Sequence, residues 1–289
     1  MERISPRKFS FAGTFLPSRI VCVLALLFLS YGAVRAEQSA FDHNHRAWDG
    51  LVQNHVTISS DGHASHVDYR GLAHAQAELD AYLNSLSEIV PAQYGRFSVD
   101  QKLAFLINAY NAFTVSLILE ADDEPQSIRD LGSWLRSPWQ RRFIPLLGRN
   151  YSLDEVEEML RDQDQFNEPR IHFALNCASI GCPMLRTEAY VGHRIQQQLA
   201  DQTRIFLTDR NRNRFELEAE TLYVSPIFEW YEDDFVNADG IGSLSDYFAK
   251  NAELLTDDVL ARQRLSIGDV RIRYTDYDWR LNSRAQSAP

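Results

Sequence analysis

The stretch from Ser98 to Glu120 constrains the fold most. Ser98 followed three residues later by Gln101 is a capping-box pattern, in which a hydroxyl and an amide satisfy otherwise orphaned backbone N–H groups at a helix start. Behind it, Leu103, Leu106, Ile107, Tyr110, Thr114 and Leu117 share one face of a helix. Phe105, Ala112 and Val115 carry the apolar surface around most of the cylinder. A helix apolar on nearly every side has to be enclosed by protein, so the spacing predicts a buried central helix to about Glu120. Asn108 and Asn111 interrupt it on a single face. A buried amide needs hydrogen-bond partners, so the two either bond a neighbouring loop or line a functional pocket.

The remaining periodicity places helices near 41–54 and 72–88, a short one at 126–135, one opened by a second capping box at Ser152–Glu155, and two more at 188–208 and about 243–255. Short strands are expected around Pro145 and Gly148, in a hairpin from Phe215 and Leu217 to Leu222 and Val224, and at Val270, Ile272 and Tyr274. Arg170–Met184 reads as an apolar strand breaking into a loop at Gly181 and Pro183. The class is α+β: a single mostly helical domain, 37–282, with a small sheet of short, largely hairpin-connected strands, and a disordered tail at 283–289.

Residues 1–36 read as a secretory signal: a basic start (Arg3, Arg7, Lys8, Arg19), an apolar run from Ile20 to Val34, and Val34-Arg35-Ala36 as a cleavage site. Cys22 follows Arg19-Ile20-Val21, which is no lipidation signal. No later stretch reads as apolar enough to span a bilayer, so the expectation is a periplasmic or secreted protein without stable membrane insertion after cleavage. Removing residues 1–36 takes away five Lys/Arg and Glu2, leaving 24 basic against 39 acidic residues and a net charge of −15. That balance argues against nucleic acid, whose phosphates are neutralised by Lys and Arg. Histidines are dense between His43 and His74, but no ligand spacing stands out and the residues are read as a polar loop. No metal or cofactor is expected.

Two cysteines remain after export, Cys177 and Cys182, in an oxidising compartment. Four readings are open: a disulfide fixing a small loop, a nucleophilic Cys177, a soft-metal site with Met184 and His172, and a redox-active pair. His172 as the base for Cys177 is disfavoured by periodicity. On a strand, residues five apart face opposite sides and lie about 16 Å apart, and on a helix they are about 140° apart. His172 is therefore expected as a core histidine sharing a strand face with Ala174 and Asn176. A base would come from His193 or the histidines of 43–74, oriented by Asn108, Asn111 or Asp234. Trp230, Tyr231, Tyr277 and Trp279 are expected to serve packing, with stacking on a glycan left open.

Four motifs, Ile107-Asn108-Ala109-Tyr110-Asn111-Ala112, His172-Phe173-Ala174-Leu175-Asn176-Cys177 with Gly181-Cys182-Pro183, Phe228-Glu229-Trp230-Tyr231 with Asp234-Phe235, and Tyr277-Asp278-Trp279-Arg280-Leu281-Asn282, occur in that order. Together they resemble the bacterial and plant "domain of unknown function 547" family over roughly 41–282. The resemblance implies a shared fold and supplies no activity, substrate or catalytic residue. Two functions are carried forward. One is an envelope binding or interaction module with a Cys177–Cys182 disulfide-shaped loop, taking a peptide or small molecule. The other is a cysteine-dependent hydrolase or acyl transferase acting on an amide or thioester with Cys177 as nucleophile. Asn108, Asn111, His172, Asn176 and Asp234 are the pocket candidates.

Overall fold

A computed structural model describes residues 41–285 apart from 134, 135, 239 and 269. The expected signal at 1–36 and the end of the tail, 286–289, lie outside the described residues.

The helix Val99–Leu119 forms as its pattern predicts, with both halves of the Ser98/Gln101 capping box made. Nearly every side chain from Leu103 to Ile118 is buried. By length and composition this helix could cross a membrane, contrary to the reading that no stretch after the leader qualifies, but most of its surface is enclosed by the protein itself. Against it pack the helices Gln76–Ser87, Leu153–Leu160, Tyr69–His74 and Ile195–Thr208. A second apolar cluster gathers Phe173, Phe206, Phe228, Phe235 and Phe248.

The strands are short, three or four residues each. Ile144–Leu146 pairs antiparallel with Arg149–Tyr151, where short strands were expected around Pro145 and Gly148, and Arg214–Glu216 with Thr221–Val224, as the hairpin reading requires. Val56–Ile58 and Ser65–Val67 form a further small hairpin. The last strand, Arg271–Tyr274, runs parallel to Thr221–Val224. A parallel partner needs a crossover, and the intervening chain includes the helix Val259–Ser266, which has too weak an apolar stripe to be read from the sequence. Where a helix was expected at 126–135, the described residues form a 3-10 turn, Ile128–Leu131. Order extends into the expected tail, because Ser283 is buried and bridges Val67.

The largest departure is at the cysteine stretch. Arg170–Cys177 is no strand. A 3-10 helix, Pro169–Phe173, gives way to irregular chain. Ile171 through Asn176 are all buried, so the segment lacks the in-out alternation of a half-buried strand. Buried backbone groups still need partners, and side-chain amides supply them in place of a sheet ladder. Asn111 donates to the Ala174 carbonyl at 3.0 Å and accepts from the Asn176 N–H at 2.8 Å. Gln202 donates to the Phe173 and Met184 carbonyls, and Asn176 to that of Pro183. Asn108 grips both the N–H and the carbonyl of Tyr190, at 3.0 and 2.7 Å. The interrupting asparagines of the central helix thus work as clamps on the chain 174–190.

Candidate functional site

The loop that follows is pinned from the far end of the chain. The Ile180 and Gly181 N–H groups donate to the carbonyls of Arg280 and Asp278, each at 2.8 Å. Arg212 donates to the carbonyls of Ile180 and Cys182. Gly181 packs against the Tyr277 ring, where a Cβ would meet ring carbons at 2.9 Å. Ala178 adopts a left-handed φ of 61°, a conformation that costs an L-residue energy and that the surrounding contacts must hold. Cys177 and Cys182 sit at disulfide distance, with Cα atoms 6.1 Å apart, inside the range of about 4.4–6.8 Å that a bridge allows. The Tyr277 hydroxyl lies 3.2 Å from Cys182 Sγ and 3.3 Å from Cys177 Sγ, and the Ser179 hydroxyl 3.2 Å from each sulfur.

This loop is one wall of a cavity of about 180 Å³. His172, Leu175, Cys177, Cys182 and Pro183 contribute to it from the cysteine stretch; Asp154 and Glu157 come from the helix Leu153–Leu160. Tyr110, Trp139, Trp230, Tyr231, Tyr277 and Trp279 supply aromatic surface. Among them Trp230 and Trp279 stack at 5.8 Å, and Tyr277 packs 4.5 Å from Trp279 and 4.8 Å from Trp230. Trp230 is 46 % exposed, so part of this cluster faces solvent.

His172 and Cys177 therefore do share a site. The separation argued from regular periodicity fails because the chain between them is neither helix nor strand. They are not directly paired, however. The polar neighbours of Cys177 Sγ are Ser179 and Tyr277, while His172 Nε2 is bonded to Asp234 at 2.7 Å. Tyr231 stacks on the imidazole with centroids 3.9 Å apart. Burial lowers the His172 pKa; the Asp234 hydrogen bond works against it without reversing the direction. For Asp234, burial is outweighed by the bonds to His172 and Arg161, which hold the carboxyl below its usual range. Of the other pocket candidates, Asn108, Asn111, Asn176 and Asp234 are not among the lining residues; the asparagines bind backbone behind the wall, and Asp234 bonds His172 and Arg161.

Glu157 is the residue that sequence reasoning missed. Burial pushes its carboxyl up to about 7, partly offset by a hydrogen bond from Tyr231 and by Arg161. Asp154 is mostly exposed, yet desolvation and then the Glu155 charge raise it too. One signal was available. Glu157 stands four residues after Leu153 and three before Leu160, half-buried beside the stripe of Leu153, Val156 and Leu160 that the helix buries. An acid there is out of place unless it serves a site.

The histidines proposed as alternative bases are elsewhere. His45 is buried with Nδ1 2.8 Å from the Tyr82 hydroxyl, and desolvation brings its pKa down to about 3. His43 packs edge-on against Phe97 and His63 bonds Thr208. Among the described residues, no group of three or more His, Cys, Asp and Glu is placed to hold a metal ion.

These elements, the central helix, the acid-bearing helix and the bridged loop, fall in one contiguous segment of chain. Residues 95–207 match the model of the family described as "Protein of unknown function, DUF547". The match bears out the resemblance read from the motifs. The DUF547 segment contains Tyr110, Trp139, Asp154, Glu157, His172, Cys177 and Cys182, while Asp234, Trp230, Tyr277 and Trp279 lie beyond it. No curated protein and no solved structure matches the chain.

Proposed function

We propose that this is an exported binding protein whose aromatic-walled cavity takes a small molecule, with the Cys177–Cys182 loop fixed as one wall. The observation that carries this reading is the convergence of three tryptophans, three tyrosines and the carboxyl of Glu157 on one cavity beside the paired sulfurs. Binding sites combine apolar and aromatic walls with a few placed polar groups, and a strongly shifted pKa in such a cavity marks a functional site. The sulfurs are engaged with each other and with Tyr277 and Ser179, so the wall is shaped without presenting a thiolate. A thermal-shift screen of small metabolites on the mature protein tests this. Hits should lose their effect in Trp279→Ala. Hits that persist unchanged in that variant point to another site. Export is tested by N-terminal sequencing of the purified protein, which should begin at Glu37; a retained leader overturns it.

One observation favours a second reading. His172, oriented by Asp234 as catalytic histidines are by their carboxylates, lines the same cavity as Cys177. Once the bridge is reduced, Cys177 could act as a nucleophile on an amide or thioester. Turnover that appears only on reduction and vanishes in Cys177→Ser, with the fold intact, would establish it.

A further inference from the structure

We infer that the cavity takes a small organic cation, an amine or quaternary ammonium group, held against its aromatic walls and facing the carboxyls of Glu157 and Asp154. This rests on the binding reading above and specifies its ligand class. The argument is one of charge and shape. Among the described residues that line the cavity there is no Lys or Arg, so an anion would meet hydroxyl and indole donors but no formal positive charge there. Two acids do line it, and neither of them forms an ion pair within 4.0 Å among the described residues. Aromatic faces attract cations through the ring quadrupole, more strongly where water is excluded. The protein already uses its rings in this way, since Arg129 lies over Trp279 at 5.2 Å and Arg161 over Tyr231 at 5.3 Å. With His172 stacked on Tyr231 and Gly181 against Tyr277, the ring with most surface left for a ligand is Trp230, which is exposed, while Tyr110 is buried.

Such a ligand couples binding to a proton. Glu157 faces Tyr231, which hydrogen-bonds it, and is within electrostatic reach of Tyr110, Tyr277, Arg161, Asp154 and Asp234. Arg161 is itself engaged by Asp234 and Glu158. A cation is best served when Glu157 is ionised. If only the ionised form binds, the competent fraction with a pKa of about 7 predicts an affinity about 30-fold weaker at about pH 5.5 than at about pH 8. Burial lowers the His172 pKa, and Asp234, held below its ordinary value, is ionised over this range.

The test titrates the mature protein with choline and with 3,3-dimethyl-1-butanol, its uncharged isostere, following tryptophan fluorescence from the cavity. Choline should bind at least about 10-fold more tightly than the isostere near pH 8, as expected for a desolvated cation–aromatic contact plus a carboxylate. Its affinity should fall about 30-fold by pH 5.5, and Glu157→Gln should remove that pH dependence while weakening binding. Asp154→Asn, at the exposed rim, serves as a second variant with a smaller expected loss. Equal affinity for the isostere, or no response to choline, overturns the cation assignment. The cavity reading fails separately, by screen hits that ignore Trp279→Ala.

Discussion

Glu157 gives the sharpest prediction, because its chemistry opposes stability. Its carboxyl titrates near 7 in the folded chain, against 4.5 ordinarily, because burial disfavours the charged form. Between those values the native state binds more protons than the unfolded chain, so stability falls as pH rises from about 4.5 to about 7 and is level above. The difference, at about 1.4 kcal/mol per pH unit, makes a cost of about 3 kcal/mol at pH 8. Glu157→Gln removes the ionisation and keeps an amide able to bond Tyr231. The variant should be stabilised by about 3 kcal/mol near pH 8 but by less than about 1 kcal/mol near pH 5. For a chain of this size that is a gain of about 6–12 °C in Tm at the higher pH. Urea unfolding of both proteins at the two pH values measures it. A stability difference that does not change with pH, or a variant weaker at both, would mean that Tyr231 and Arg161 hold the ionised form and that the reasoning is wrong.

Other consequences follow from the clamps and the bridge. Replacing Cys177 and Cys182 together with Ser should cost about 2 kcal/mol from the small loop's closure entropy, or about 4–8 °C in Tm by calorimetry; no change would mean that Tyr277, Arg212 and the 278–280 backbone hold the loop unaided. Asn108→Ala leaves both the N–H and the carbonyl of Tyr190 unpaired in the core and should cost about 2–4 kcal/mol in urea unfolding. Asp234→Asn removes the group that raises the His172 pKa, so NMR titration should find the imidazole harder to protonate than in the parent. The same change removes stability that Asp234 supplies above the ordinary carboxylate range and that is lost as pH falls through its depressed value, so parent and variant should converge in acid.

The legible parts of the fold were those decided locally. Capping boxes at Ser98 and Ser152 and the turn between 146 and 149 act through neighbours in sequence, and each element formed where its pattern put it. The central helix was legible because so many apolar side chains leave one environment possible. What failed was long-range. A fully buried segment such as 171–176 carries the same apolar run whether strand or coil, and only Asn111, 65 residues before Asn176, and Gln202, 29 after Phe173, decide that amides rather than a ladder serve its backbone. The cavity was half visible. Cys177, Cys182 and His172 were singled out, but the asparagines and Asp234 were placed in the site when they stand behind it. The aromatic wall was assigned to packing because Trp230 and Trp279, 49 positions apart, meet only in three dimensions.

The central claim is that the cavity binds and the bridge shapes its wall. Its most direct test is to incubate a screen hit with the protein, bridged and after mild reduction, and to weigh the recovered ligand by mass spectrometry. Recovery unchanged in both states, with affinity weakened when the bridge opens, is the result this account predicts. A ligand cleaved by the reduced protein and spared by Cys177→Ser would contradict it and make Cys177 the centre of the chemistry.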